Sequence, residues 1–359
     1  MTGRVSMADV ARSAGVSQKT VSRVVNGEPH VSAALRKRVL REIERLGFRP
    51  NESARALVTR RSRRIGIVTA RTSYFGPASV LRDLERAARA AGYYVSVVHV
   101  GEEDEEDEEE AERALAHLVS QGVDAIALTA PVGPAHLAAL VPAGLPLLLL
   151  SCPEEGVGTE PAAAGRPRPL TVGNDDIGGA RQATAYLLRL GHRTVHHIAG
   201  PTSWAVTGHR ATGWRAALRA AGADEPAPCH GDWSPASGYR VARELLGEAP
   251  PFPATALFVS NDQMAIGAIH AIERAGGRVP DDISVVGFDD IPEAAYLSVP
   301  LTTIRQDFTE IAGQAMRRLI AAVTGTGAPA PDARIPTALV VRASTAPPGR
   351  TPPPSEGRR

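Results

Sequence analysis

Apolar positions in the first fifty residues recur at helical spacing, in three short bursts. SMADVARSA, residues 6–14, predicts a helix that turns Val10 and Ala11 inward. Gly15 and Val16 make a turn, and Ser17 is a natural N-cap for a second helix running to about Asn26. There Val21, Val24 and Val25 repeat at i, i+3, i+4, and Asn26-Gly27 stops the helix. A third helix over about 32–46 is expected to carry Leu35, Val39, Leu40, Ile43 and Leu46 inward and to end at Gly47. Pro50 breaks the chain, Asn51 can cap, and 51–58 is a helix too short to be stable alone. Arg60, Arg61, Arg63 and Arg64 close the segment.

Beyond them the pattern changes. RIGIVTA (64–70) is a buried strand, LRDLERAARAAGY a helix and YVSVVHV a strand. EEDEEDEEEAERALAHLVSQG leads into a helix, and DAIALTA and PLLLLS are strands. TVGNDDIGGARQATAYLLRLGHRTVHHIAGP gives loop, helix and strand, with HRATGWRAALRAAG and SGYRVARELLG as further helices. ATALFVSNDQMAIGAIHAIERAGGRVPDDISVVGFDD gives strand, helix, strand. Such βα alternation through the remaining chain predicts doubly wound parallel sheets, two of them at this length. The expected architecture is an all-α helix-turn-helix headpiece followed by an α/β core of two doubly wound lobes. The Pro-rich end, APPGRTPPPSEGRR from Ala346, lacks the means to build a core and is expected to be a disordered tail.

Charge sharpens this picture. The formal net charge of +1 hides about fifteen Lys/Arg against five Asp/Glu in residues 1–64. A basic small module on a mildly acidic large one is the layout of a protein that sets one end on a polyanion. No apolar run is long enough to span a bilayer, the longest being GLPLLLL at 144–150, and the N-terminus lacks a secretory core. A cytoplasmic protein without membrane contact is expected. Cys152 and Cys229 are far apart and read as buried free thiols. The run at 102–110 could hold a metal or a partner, but acidic residues also suit a helix N-terminus. His192, His196 and His197 do not have zinc spacing, and no GxSxG, P-loop or HExxH occurs. Neither a cofactor nor enzyme activity is expected.

Two short helices joined through Gly15 match a helix-turn-helix, whose second helix enters the major groove. SQKTVSR keeps valine on one side and offers Ser17, Gln18, Lys19, Ser22 and Arg23 on the other. Gln can read adenine, while Lys and Arg favour guanine. Ser17, Thr20, Ser22, Asn26 and His30 suit phosphate and register. The alternative is a polar surface helix with a glycine turn, and the local charge weighs against it.

MADVARSAGVSQKTVSRVVNGEPHVSAALRKRVLREIERLGFRPNESARAL resembles the DNA-binding headpiece of the lactose-repressor/galactose-repressor family, and most nearly its lactose branch. GDWSPASGY, VSNDQMAIGAIHAI, DDISVVGFDD and PLTTIRQDF extend the resemblance through roughly residues 5–345. It implies a hinge helix around Asn51 that folds on the operator, with Ala54 facing the minor groove and Leu57 wedging into it. Without the resemblance, Leu57 would read as a linker residue packing on the core.

The resemblance also implies a core of the periplasmic-binding-protein type, with a ligand held between lobes at the carboxyl ends of strands. Arg210 after a strand, Trp233 in GDWS, Asn261 after ALFVS, Asp289 after ISVVGF and Gln306 are the implied effector contacts. Tyr74, Gly76, Pro77, Val80 and Phe308 form an apolar wall. Asp, Arg and Asn together serve vicinal hydroxyls, and a tryptophan face suits a pyranose. Each has a plainer role: Asn261 as a helix cap, Asp289-Asp290 as a turn, Trp233 as core. Ser151 and Asn174 stand where the lactose branch has an acidic and an aromatic residue, so the pocket differs in detail, while the retained Trp, Arg, Asn and Asp favour a galactoside-like or related sugar.

The implied domains are 1–50 headpiece, 51–63 hinge and linker, 64–174 with 304–333 as one lobe, 175–303 with 334–345 as the other, and 346–359 as tail. No heptad follows the core, which predicts a homodimer on palindromic double-stranded operator DNA. The expected function is a repressor that a galactoside-like sugar releases. A purine corepressor, a partner protein or a sugar transport receptor are the competing readings, and the basic headpiece opposes the last.

Overall fold

The computed structural model describes residues 5–25, 28–29, 31–49, 61–70, 74–101, 105–129, 139–150, 169–327 and 332–349. Asn26, His30, Asn51, Ala54, Leu57, Ser151 and Cys152 lie outside them, as does the tail from Arg350. Two compact units divide the chain at Arg63/Arg64.

The first unit contains α1 (Met7–Ala14), α2 (Gln18–Val25) and α3 (Ala33–Leu46). Ser6 caps α1 in a reciprocal capping box with Asp9, and Gly15 ends it in the left-handed region at φ 61°. The Ser6 hydroxyl holds the Asp9 carboxyl below the usual carboxylate range. Val10, Ala11, Ala14, Val21, Val24, Val39 and Phe48 form a small core. Ser13 donates to Glu42 at 2.6 Å and accepts from Arg45 at 2.6 Å, tying α1 to α3. Leu40 was expected inside but is exposed. It lies one residue, about 100° of helix, beyond Val39, and the inward stripe runs through Val39, Ile43 and Leu46 instead.

The second unit runs β1 (Arg64–Ala70), α4 (Phe75–Ala90), β2 (Tyr94–Val100), α5 (Glu105–Ser120), β3 (Ala125–Leu128), β4 (Leu147–Leu149) and β5 (Leu170–Asn174). It continues as α6 (Asp176–Arg189), β6 (His196–Ala199), α7 (Ala205–Ala221), β7 (Cys229–His230), α8 (Pro235–Leu246), β8 (Ala256–Val259) and α9 (Asp262–Arg274). β9 (Ser284–Asp289), β10 (Thr302–Arg305), α10 (Phe308–Thr324), β11 (Ala333–Ile335) and β12 (Ala338–Val340) complete it. Among the described residues these make two six-stranded sheets, ordered β11-β5-β4-β3-β1-β2 and β12-β10-β9-β8-β6-β7. All pairings are parallel except β10 with β12. That antiparallel edge arises because β12 follows β11 after two residues, too few for a parallel return.

Helices cover both faces of each sheet, so the central strands β3 and β8 are apolar and buried along their whole length. Leu257, Val259 and Val285 face α8 and α9, while Phe258, Val286 and Phe288 face α6 and α7. α8 and α9 cross at two glycines. A Cβ at Gly267 would lie 1.9 Å from the Pro235 carbonyl oxygen, and one at Gly238 would lie 2.1 Å from that of Met264. Only hydrogen fits at this crossing. Among the described residues, no helix is long and apolar enough to cross a membrane.

The chain passes between the lobes at Asp175, at 306–307 and at 336–337. These crossovers are bonded to one another: Asp175 N–H donates to Ile335 O at 2.8 Å, Thr337 Oγ1 to Asp175 O at 3.3 Å, and Asn174 Nδ2 to Gln306 Oε1. Three expected boundaries move. Residue 304 falls inside β10 of the second sheet, and 333–335 is a single strand of the first, so the returns come at 306–307 and 336–337. Ala346, expected in the tail, extends the second lobe: its N–H donates to Ser284 Oγ and its carbonyl accepts from it, both at 3.0 Å.

Candidate functional site

On the headpiece, the Ser17 hydroxyl accepts the Thr20 N–H at 3.2 Å and opens α2 as an N-cap. The two hydroxyls also bond each other at 2.9 Å, so Thr20, expected on phosphate, is first a partner of the cap. Gln18 and Lys19 are exposed in the first turn, while Val21 and Val24 are buried behind them. Ser22 is half-buried. Arg23 is exposed but lies 3.8 Å from Glu28, an ion pair that the helical pattern gave no reason to expect. The face therefore has exposed polar side chains, Gln18 and Lys19, at its N-terminal end, where the first backbone N–H groups of the helix lack intrahelical partners.

In the core, a cleft of about 540 Å³ opens between the lobes at the carboxyl ends of the strands. Of the expected residues, Tyr74, Gly76, Pro77, Val80, Asn174, Arg210, Trp233, Asn261, Asp289, Gln306 and Phe308 all line it. Arg210 does not follow a strand. It sits in the second turn of α7, because the loop after β6 is short and the helix starts at Ala205, four residues before the expected His209.

Arg210 is buried and anchors the polar end. Its Nε donates to Asp176 at 2.9 Å, one Nη to the Ser260 carbonyl, and the other lies 4.0 Å from Asp289. The guanidinium stacks over Phe288 at 3.7 Å. Two of its five N–H donors are committed by those bonds, which leaves others to meet a ligand. Burial pushes the Asp289 carboxyl up to about 7, with Arg210 and Gln306 holding it from rising further. Behind it Asp262 is fully buried and raised well above the usual range, by burial and then by the Asp289 charge. Gln306 bridges the site, donating to Asp289 and accepting from Asn174.

Trp233 is held by its surroundings. Its backbone is left-handed at φ 72°, and its carbonyl accepts from Asn261 Nδ2 at 3.0 Å. A Cβ at Gly200 would lie 2.2 Å from the indole, so the glycine of AGP makes room for the ring. Asn261 also accepts the Met264 N–H at 2.9 Å, so the helix-cap role and the cleft role coincide. Asp289 and Asp290 are likewise left-handed, at φ 120° and 55°. Non-glycine strain gathered around one cavity is a mark of a built site. The pair divides the work: Asp290 is gripped by Arg305 at 2.6 Å and Arg342 at 2.5 Å, leaving Asp289 to the cleft.

Asn174, Trp204 and Trp233 line the cleft, and Asn174 Oδ1, Trp204 Nε1 and Trp233 Nε1 are buried with no hydrogen-bond partner among the described residues. Buried polar atoms without partners are costly, and three such atoms belong to residues around this one cavity. Asp176, Trp204 and His209 also line it and were not expected. The signal for Trp204 was its place in GPTSW, a loop at the carboxyl end of a strand. His197, by contrast, is fully buried between Phe258 and Trp214, and burial brings it down to about 3, which keeps it neutral.

A family model described as "Bacterial regulatory proteins, lacI family" matches residues 6–51, and one for a periplasmic binding protein-like domain matches 184–345. The HTH-type transcriptional regulator CelR of Thermobifida fusca is 35% identical over 325 residues, covering 88% of this chain and 91% of that protein. The lactose operon repressor of Escherichia coli strain K12 is 33% identical over 343 residues, covering 95% and 91%. A solved structure of the lac repressor dimer bound to operator and the anti-inducer ONPF superposes with a TM-score of 0.83 at 31% identity, over 96% of this chain and all of that one. These relatives regulate transcription and are not enzymes. With its helix-turn-helix headpiece and its two-lobed core around a largely apolar cleft with one polar end, the chain belongs to the LacI family of bacterial transcription regulators.

Proposed function

We propose that the protein is a sugar-controlled repressor of the cytoplasm. Two copies bind a palindromic operator, and a small galactoside-like sugar in the cleft releases them. The observation that carries this reading is the polar end of the cleft: Arg210 donors, the Asp289 acceptor and the Trp233 ring converge beside three unpartnered buried atoms. Vicinal hydroxyls meet donor and acceptor together, and the C–H face of a pyranose packs on an indole. On the headpiece, Gln18, Lys19 and Arg23 read bases while Ser17, Ser22, Asn26 and His30 hold the backbone, and Leu57 wedges into the minor groove. The match to a repressor dimer on its operator supports the homodimer. A ligand releases DNA only by binding the released form more tightly.

The test is a gel-shift titration of the full-length protein on the palindrome nearest its own gene, with a panel of galactosides and other small sugars. Weaker DNA binding with one of them supports induction. If no sugar weakens binding while a purine or a partner protein tightens it, control is by corepressor and the reading fails.

A further inference from the structure

Three histidines are buried among the described residues: His192, His197 and His209. The fold occupies two of them. His192 meets Thr255 Oγ1 through Nδ1 at 2.9 Å and donates from Nε2 to the Ala346 carbonyl at 3.0 Å. His197 donates from Nδ1 to the Phe258 carbonyl at 3.0 Å, stacks on the Phe258 ring, and has its Nε2 sealed from solvent. His209 differs. It is only 6% exposed, it lines the cleft, and neither ring nitrogen has a hydrogen-bond or ion-pair partner among the described residues. Neither nitrogen is sealed, so the little surface that this ring keeps includes both of them.

Local structure does not ask for histidine there. Position 209 lies in the second turn of α7, and Ala205 and Val206, one turn earlier, line the same cleft. A helical side chain leans back over the preceding turn, which sets the imidazole toward Ala205. That turn holds no acidic residue to pair with it. A leucine would fill the position and leave nothing unmatched, whereas a buried polar group without a partner is costly. A residue that breaks a local rule is expected where a site requires it. Arg210, the next residue, is anchored by Asp176 and the Ser260 carbonyl, so the helix brings a fixed cation and an uncommitted ring to the cleft side by side. An uncharged imidazole has one donor and one acceptor, and a hydroxyl, which both donates and accepts, can meet either nitrogen. A carboxylate or phosphate could only accept, and a hydrocarbon would match neither.

We propose that His209 is a specificity-determining residue: one of its ring nitrogens hydrogen-bonds a single hydroxyl of the effector, separate from the hydroxyls that Arg210 and Asp289 hold. The proposal rests on the sugar reading above and deepens it. It is tested by calorimetric titration of the full-length protein with the methyl glycosides of galactose and glucose and with their monodeoxy analogues, each lacking one hydroxyl. Wild type, His209→Leu and His209→Gln are titrated side by side, and thermal unfolding shows that both variants are folded. In wild type, removing the hydroxyl that His209 meets should weaken binding about tenfold, as the loss of one buried hydrogen bond does. His209→Leu should bind the parent glycoside about tenfold more weakly and should no longer distinguish it from that one analogue, while its response to the other analogues stays as in wild type. His209→Gln, which keeps a donor and an acceptor, should restore part of the discrimination. A ring that only shapes the cleft would shift every analogue by one common factor. Such a common factor, or a wild-type pattern that His209→Leu leaves intact, overturns the proposal while the sugar reading stands. So does discrimination that His209→Gln loses as fully as His209→Leu. If no glycoside binds wild type, the sugar reading falls and the proposal with it.

Discussion

Replacing Arg210 by methionine removes a buried cation from between two buried carboxylates. It takes away the 2.9 Å bond to Asp176, the bond to the Ser260 carbonyl and the stacking over Phe288. Side chains of Asp176 and Asp289 are only 12% and 7% exposed, so solvent cannot replace the guanidinium. Breaking a buried pair from one side costs about 3–5 kcal/mol. Asp289 softens this. With its carboxyl already up to about 7, loss of the cation sends it higher, and it takes up a proton instead of remaining an unpaired anion. The expected loss near neutral pH is therefore at the lower end, about 2–4 kcal/mol, or a fall of about 5–10 °C in Tm. Its sign with pH follows. A carboxyl raised in the folded state favours folding below its unfolded value near 3.8 and loses that advantage as pH rises through the folded value. Removing Arg210 lifts the folded value further, so the penalty grows from pH 6 to 8.5. Scanning calorimetry of wild type, Arg210→Met, Asp176→Asn and the double variant across that range measures it. Asp176→Asn should rescue Arg210→Met, with a coupling of about 1–3 kcal/mol. A Tm within 2 °C or so of wild type at every pH, or a strictly additive double variant, would refute the argument.

Three further outcomes are expected. Sugar affinity should fall below pH 7, approaching tenfold per unit, and level off above it, because the Asp289 carboxylate rather than the acid accepts hydroxyls; a flat calorimetric profile from pH 5.5 to 8.5 removes Asp289 as the acceptor. Gly267→Ala should drive α8 from α9 and cost about 1–3 kcal/mol or more in urea unfolding, since the new Cβ meets backbone that cannot turn aside. Gln18→Ala, at an exposed position, should leave headpiece stability unchanged yet relax preference at one base pair by about 1–3 kcal/mol, read by selection from randomised operators.

The helices and strands were legible because each face of each element carries one chemistry. Val21 and Val24 mark α2 as surely as the unbroken apolar run of β8 marks a strand covered on both sides. Leu40 was misplaced because a three-helix unit buries only a narrow stripe of α3, and hydrophobicity alone does not say where the stripe ends. The lobe boundaries were displaced because β10 and β11 are short and pair across long stretches of chain, which local pattern does not encode. Most of the cleft was visible through family resemblance, residue by residue. Trp204 was not, since an aromatic residue before a helix has no periodic signature. The strain at Trp233 and the bonding of Asn174 to Gln306 belong to tertiary structure alone.

The three crossovers have a consequence for what a ligand can and cannot do. Asn174 and Gln306 lie at or beside two of them, close to the axis about which one lobe would turn on the other. Points near a pivot move little. Groups there can grip a sugar almost equally well whether the lobes are open or shut. The distant lips move most: Tyr74 on one lobe now reaches the Asp232 carbonyl on the other at 2.8 Å. Tight binding and switching are thus separable. A compound that fills only the floor should occupy the protein and compete with the effector while leaving the DNA-bound population where it was, as a silent antagonist, because only differential affinity shifts an equilibrium.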